Sequence, residues 1–397
     1  MTKKKILFFT PSAGRTGSEM ALWNTLRYAA PSKFDMALSS YVDGALLKLL
    51  PLHIPTFRSF YGSLKTAPLR RISDSLVAFL TGQHRVYLEW QFFRRLHKNV
   101  HPDIWYLNTS VLENPLHFVS QHRIPCILHV HELLEPLYTF SPAHLERLIH
   151  YPFLIIACSE AVRRVLRTLG RTERIEVCYP PVDIESLKRT GSGRLKVRHS
   201  LGIPDTAFTW VMSGFYSMRK NPTGFLELAE RMQERRPDVY FLWIGVNPQI
   251  AIAEYLQRRT RELGLDKRVF WCDAKVEEYP DFLDAADGFL LTSLEDPMPL
   301  VTVEALSLGK PLVATKCGGI AELVDRNLGI LVDRWDPRAL IDAMLDVMEG
   351  RFAFDQEAAV KQAGLFDARR IAAQWVSIVE RYLGNPTPRA ANRKPYN

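Results

Sequence analysis

The chain has 397 residues, above the usual size of one domain, so two domains are the starting expectation. Hydrophobic residues make up 47% and charged residues 24%, an ordinary globular balance, and no stretch approaches the roughly 18 uncharged apolar residues of a bilayer-spanning helix. The net charge of +8 is uneven: 24 Lys and Arg face 15 Asp and Glu through Arg189, and 27 face 28 beyond it.

Met1–Phe9 carries three lysines and then an apolar run of about four residues before Thr10-Pro11, too short for a signal-peptide core. It predicts a basic lead-in to a buried strand. From there strand-like runs alternate with helical patterns, which predicts parallel sheets with crossover helices. In the first half, strands are predicted at Lys5–Thr10, Asp35–Ser40, Ile104–Leu107, Ile127–Val130, Leu154–Ala157 and Arg174–Val177. Helices are predicted at Glu19–Ala29 and at Ala161–Leu169, the latter capped by Ser159. Between the second and third strands, Arg58–Lys98 holds eight basic and two acidic residues interleaved with Phe60, Tyr61, Phe79, Tyr87, Trp90, Phe92 and Phe93. It fits a solvated basic face, or an anionic membrane surface or lipid-phosphate acceptor. Nucleic acid is set aside because no recognition motif accompanies the charge.

Ile184–Pro204 is charged and contains glycine, as a linker would. The alternation then restarts, with strands predicted at Thr209–Ser213, Tyr240–Ile244, Val269–Trp271, Gly288–Leu291, Pro311–Ala314 and Gly329–Val332. Ala368–Leu383 has helical apolar spacing, and residues 384–397 have the composition of a disordered tail. The five cysteines, Cys126, Cys158, Cys178, Cys272 and Cys317, are scattered and lack metal-ligand spacing. They predict a reducing compartment with neither a disulfide framework nor a zinc site.

Leu294–Leu323 is the most informative segment. Glu295 and Asp296 stand beside Pro297 and Pro299 at the mouth of a predicted helix that opens with Leu300 and Val301 and carries Glu304. The run Pro311–Ala314 leads to Gly318-Gly319, which opens another helix at Ala321. Two helix N-termini on one crevice suit a diphosphate, and a carboxylate one to two turns into the first helix suits the two hydroxyls of a ribose. Near the start, Thr10–Glu19 joins strand to helix, with Gly14 and Gly17 allowing close backbone approach but without the dinucleotide spacing. His129 and His131 alternate onto one side of the chain at the carboxyl end of their strand. His129 reads more readily as a satisfied structural residue, and zinc ligands of suitable spacing are absent.

In order, these residues resemble the donor-binding motif of the family-four retaining glycosyltransferases. That family has the α/β GT-B fold, two Rossmann-like doubly wound domains facing a central cleft. Its two acids lie eight positions apart, followed by a Gly-Lys-Pro turn and a Gly-Gly-x-x-Glu loop. Here Asp296 and Glu304 are eight apart, Gly309-Lys310-Pro311 follows, and Gly318-Gly319-Ile320-Ala321-Glu322 completes the series. The first acid, usually Glu in the family, is either Asp296 in register or Glu295 one residue early. The resemblance implies an acceptor-side domain at 1–185 with helix 368–383 crossing back to it, and a nucleotide-sugar domain at 186–367.

The resemblance also implies roles. Lys220 matches the lysine that pairs with the donor phosphates; the companion arginine position is Phe215, and Arg219 is the available substitute. Pro299, Leu300, Val301, Gly318 and Gly319 would seat the diphosphate, with backbone N–H groups near Leu300 and Gly319 facing it. Glu304 would accept from the ribose, and Asp296 would orient the sugar and stabilise positive charge at its anomeric carbon. Gly17 would approach the diphosphate, with Arg15, Thr16 and Glu132 on the acceptor side. His131 would lie near the donor sugar, with Glu132 holding its tautomer. Tyr179–Asp183 resembles a junction turn, Gly245-Val246-Asn247 a turn near the nucleotide, and Val276–Tyr279 a segment near the base.

The implied activity is metal-independent, cofactor-free retaining hexosyl transfer from a nucleoside-diphosphate sugar. The implied acceptor is a glycan or lipid-linked molecule of bacterial surface polysaccharide or glycolipid synthesis. The implied location is the cytoplasm, peripheral on the inner membrane face, without a nucleic-acid partner. The departures at Phe215 and Asp296 also fit a non-catalytic GT-B nucleotide-binding protein, and a GT-B nucleotide-sugar epimerase is a further reading.

Overall fold

The computed structural model describes residues 3–29, 33–51, 53–57, 59–61, 82–187, 191–246, 250–273 and 278–383. Most of Arg58–Lys98 before residue 82, the centre of the Ile184–Pro204 segment, Asn247, Val276, Glu277 and the tail after Leu383 lie outside the described residues. The chain divides into two compact units, one comprising Met1–Pro181 and the chain from Ala368 on, the other Val182–Asp367.

In the first unit the order is β1 (Lys4–Ser12), α1 (Gly17–Tyr28), β2 (Phe34–Val42), α2 (Gly82–Val100), β3 (Ile104–Asn108), α3 (Glu113–Gln121), β4 (Cys126–Val130), α4 (Pro142–His150), β5 (Leu154–Ala157), α5 (Glu160–Thr168) and β6 (Ile175–Val177). Every strand pair is parallel, in the order β2-β1-β3-β4-β5-β6. A parallel sheet covered on both faces wants continuous apolar strands, which Ile6–Phe9, Ile104–Leu107 and Leu154–Ala157 supply, all fully buried. Ser159 caps α5 by accepting from the Val162 amide at 3.2 Å.

The second unit repeats the plan with β7 (Thr209–Ser213), β8 (Tyr240–Val246), β9 (Val269–Asp273), β10 (Gly288–Leu291), β11 (Leu312–Thr315) and β12 (Gly329–Val332), again all parallel, in the order β12-β11-β10-β7-β8-β9. Its helices are α6 (Gly193–Leu201), α7 (Pro222–Arg235), α8 (Ala251–Glu262), α9 (Tyr279–Asp284), α10 (Leu300–Ser307), α11 (Ile320–Leu323), α12 (Pro337–Met348) and α13 (Gln356–Gly364). All twelve predicted strands are present, several of them one to three residues longer than their apolar runs because backbone pairing continues past the buried residues.

The last helix, α14 (Ala368–Leu383), belongs to the first unit. Its buried residues Ile371, Trp375, Val376, Ile378 and Val379 join one core with Ile6, Phe8, Leu22, Leu26 and Phe34. Trp375 lies 5.8 Å by ring centroids from each of Phe8, Phe34 and Tyr106.

Three cations secure the turn between α9 and β10. A helix end leaves carbonyls without intrahelical donors. Arg194 donates to the carbonyls of Asp284 and Ala286 at 2.6 and 2.9 Å, and Lys310 to the same two at 3.0 and 2.6 Å. Arg198, fully buried, donates to the carbonyls of Ala285 at 2.8 Å and Pro204 at 2.7 Å, and also reaches Ala207 and the Asp287 carboxylate. The lysine of the Gly-Lys-Pro turn is thus a strut for the loop ahead of β10. Arg198→Met removes donors from several buried acceptors at once and is expected to destabilise the second unit by about 3–5 kcal/mol. Denaturant unfolding followed through tryptophan fluorescence measures this; a loss below about 1 kcal/mol counts against the strut.

Candidate functional site

In the second unit β7 and β10 are neighbours from which the chain leaves in opposite directions, so the loops after them part over a crevice at the carboxyl edge of the sheet. The loop after β7 begins at Gly214, held at φ 153°, where a Cβ would press on the Lys220 side chain at 3.3 Å. Met218–Lys220 forms one 3₁₀ turn capped by Ser217. The loop after β10 is stitched to that turn: the Leu294 amide donates to the Arg219 carbonyl at 2.7 Å, and the Thr292 hydroxyl to the Lys220 carbonyl at 2.9 Å.

These backbone ties bring two candidate side chains together. Lys220 Nζ lies 2.5 Å from Asp296 Oδ2, and Asp296 is buried. The Ser293 hydroxyl donates to the same oxygen at 3.4 Å. On α10, Glu304 accepts from the Tyr279 hydroxyl at 2.5 Å, and Ser213 at the end of β7 reaches that hydroxyl too. Burial raises the Glu304 carboxyl above its ordinary range, while the Tyr279 bond and the charge of Lys220 pull the other way. Lys220 therefore acts on both acids. Burial and the neighbouring carboxylates, Asp296 and Glu295, push the Cys317 thiol up to about 12, so Cys317 and half-buried Glu295 share the cluster.

Other candidates differ from expectation. Gly318 occupies the left-handed region at φ 52°, but the Gly319 amide donates to the Asp296 carbonyl at 3.2 Å. That amide closes the loop onto Asp296 rather than facing a diphosphate, and α11 has only four residues. The N-terminus of α10 is the stronger seat. Its cap is Pro299, without a capping side chain, and the first-turn amides of Leu300 and Val301 have no intrahelical acceptor. Phe215 is exposed and Arg219 half-buried. The sequence places Tyr279 only within a segment near the base and Ser213 only at a strand end; the contacts of Tyr279 with Glu304 and with Ser213 appear only in the folded unit.

In the first unit the equivalent crevice lies between β1 and β3. Glu19 is buried at the start of α1, where it accepts from the Thr16 amide at 2.9 Å and from the Ser12 hydroxyl. Thr16 and Gly17 are exposed, and a Cβ at Gly17 would meet nothing within 4 Å. Arg15 is half-buried on the same turn.

At the carboxyl end of β4, the rings of His129 and His131 pack 4.0 Å apart by centroids. His131 Nε2 lies 3.1 Å from Asn108 Oδ1, whose amide nitrogen donates to the Ser18 carbonyl at 3.0 Å. Asn108, not Glu132, thus sets the His131 tautomer. Glu132 instead grips backbone: it accepts from the amides of Ser110 at 3.0 Å and His131 at 3.1 Å, from the Ser110 hydroxyl at 2.7 Å, and from Thr109. Those bonds hold Thr109 at φ 129°, strain of order 1–3 kcal/mol for such a residue. Asn108–Ser110 carried no sequence signal beyond following a strand. Among the described residues no group of three or more His, Cys, Asp and Glu has the arrangement of a metal site.

Burial lowers the pKa of both histidines, that of His131 to about 4, against the opposing pull of Glu132. The unfolded chain takes up protons near the ordinary value of 6.5 and the folded unit does not, so stability falls as pH drops from 6.5 to about 4. Denaturant midpoints between pH 7 and 4 should show this slope, reduced in His129→Leu; an unchanged slope in that variant contradicts the assignment.

Comparison with known proteins agrees with this architecture. A model described as Glycosyltransferase Family 4 matches residues 44–186, and one described as Glycosyl transferases group 1 matches residues 207–350. D-inositol 3-phosphate glycosyltransferase of Corynebacterium urealyticum is 30% identical over 225 residues, 54% of this chain and 52% of that protein. Its Corynebacterium diphtheriae counterpart is 32% identical over 188 residues, 46% and 44% respectively. The chain spans about half the length of the curated relatives it matches. Among solved structures, HepE of Anabaena in complex with UDP-glucose superposes with a TM-score of 0.76 at 24% identity, over 96% of this chain and all of that one. WaaG, a glycosyltransferase of lipopolysaccharide biosynthesis, does so with a TM-score of 0.70 at 14% identity, over 94% and 99%. With a family-four segment in its first unit, a group 1 segment in its second and the double parallel sheet of its structural neighbours, the chain belongs to the GT-B glycosyltransferases of family four.

Proposed function

We propose that the protein is a retaining glycosyltransferase that takes a sugar from a nucleoside diphosphate, without a metal, and passes it to a glycan or lipid-linked acceptor. The observation that carries this reading is the Lys220–Asp296 pair beside Glu304 at the strand switch point of the second unit. Asp296 engages one of the three protons on the Lys220 ammonium. A diphosphate on the Leu300 and Val301 amides would draw that ammonium towards itself and leave the Asp296 carboxylate for the sugar, where positive charge develops. Glu304, anchored by Tyr279, offers its acceptor capacity to the ribose.

HepE holds UDP-glucose in its complex, so UDP-sugars are the first donors to test. The relatives' names make a phosphorylated polyol the first soluble acceptor to test. The basic first half suits an acceptor presented at an anionic membrane surface, and no helix among the described residues is long and apolar enough to cross a membrane.

Asp296→Asn should lower transfer by about 10²–10³-fold while donor affinity holds or rises, since Lys220 is released to the diphosphate. Calorimetric titration with the UDP-sugar and a radiolabelled transfer assay separate the two effects; a variant that transfers at the parental rate removes Asp296 from the mechanism. Glu304→Gln should weaken donor binding about tenfold. In the parent, donor binding should weaken as pH falls through a pKa above the ordinary glutamate range, because only the ionised carboxylate accepts from both hydroxyls. In Glu304→Gln that dependence should vanish. The protein should also sediment with phosphatidylglycerol vesicles and be released by salt; equal recovery from neutral vesicles discards the membrane element.

A further inference from the structure

The function just proposed leaves His129 without a task, although its imidazole is buried and tied into a chain of hydrogen bonds. Trp375 on α14 donates its indole N–H to the Tyr106 hydroxyl at 3.1 Å, and that hydroxyl lies 2.7 Å from His129 Nδ1. All three side chains are buried. An indole N–H can only donate, so the Tyr106 oxygen accepts there, and its own proton has His129 Nδ1 as its acceptor. His129 Nδ1 is then unprotonated and Nε2 carries the hydrogen. This Nε2 is buried without a hydrogen-bond partner, an unfavourable arrangement that needs a reason. The reason lies beside it, since the His131 ring packs 4.0 Å away, nearer than the Tyr106 ring at 5.9 Å.

We propose that His129 is a positioning residue for His131: the donor chain from Trp375 through Tyr106 fixes its tautomer and ring plane, and that fixed ring holds the His131 imidazole against Asn108 with Nε2–H engaged and Nδ1 open to substrate. The inference rests on the transfer function just proposed, with His131 beside the donor sugar as the family resemblance implies. Both imidazoles are kept uncharged by burial, and His131 further opposes a proton on His129. The remaining titratable groups around the pair are Tyr106, held neutral by burial, Cys178 beside Tyr106, and Glu132, which favours a charge on His131 but spends its hydrogen bonds on backbone and hydroxyls. The helix that closes the first unit thereby reaches the site through three side chains.

The test combines ¹⁵N NMR of the histidine rings with transfer kinetics on the full chain. In the parent at pH 7, His129 and His131 should both appear as neutral Nε2–H tautomers. Tyr106→Phe, nearly isosteric, should convert His129 to a mixture of tautomers and lower kcat about tenfold with donor KM within about twofold. Phe34→Leu loosens the packing on Trp375 without touching the hydrogen-bond chain, and should lower Tm while leaving tautomers and kcat unchanged. An Nδ1–H tautomer for His129 in the parent, or Tyr106→Phe with the parental kcat, overturns the proposal. If the parent transfers no sugar, the functional reading fails, and the tautomer spectra still decide whether the relay exists.

Discussion

A parallel sheet whose chain leaves its central strand first one way and then the other must open a crevice at that strand, and each unit is organised around such an opening. In the second unit the split falls between β7 and β10, and the Lys220–Asp296 ion pair at 2.5 Å bridges it. The pair is set by backbone: carbonyls of residues 219 and 220 receive hydrogen bonds from the opposite loop, so the charges meet because the loops are already joined. The Gly319 amide on the Asp296 carbonyl adds a third loop to the same anchor. In the first unit the split falls between β1 and β3, and the Asn108 amide on the Ser18 carbonyl bridges it.

The electrostatics follow from the burial this geometry produces. A single ammonium serves two carboxylates eight residues apart, one through direct contact and one through its field. Burial makes the Glu304 carboxyl harder to ionise, and the Tyr279 hydrogen bond and the Lys220 charge are its supports. In the first unit the same burial keeps the histidine pair neutral, so those rings work as hydrogen-bonding groups rather than as charges.

What the sequence made legible was the part that is local. Each strand announced itself as an apolar run, and the resemblance to the family-four motif picked out Asp296, Glu304 and Lys220. Pairings between segments far apart in the chain were not legible. Nothing in the sequence joins Tyr279 to Glu304, or Asn108 to His131, because those contacts exist only once strands from different parts of the chain lie side by side. Two local inferences failed for the same reason. Glu132 is adjacent to His131, yet its carboxylate turns to the strained Thr109–Ser110 backbone across the crevice. Gly319 looked like a ligand-facing amide until the carbonyl of Asp296 claimed it.

The placement of α14 carries a consequence for biosynthesis. The core of the first unit contains Trp375, Ile371 and Val379, which leave the ribosome only after the whole of the second unit has been translated. The amino-terminal sheet must therefore wait, with the apolar surface around Ile6, Phe8 and Phe34 uncovered, for about half the translation time of the chain. Chaperone occupancy during synthesis should concentrate on that surface, and a nascent chain halted before residue 368 should remain a client however long it is held.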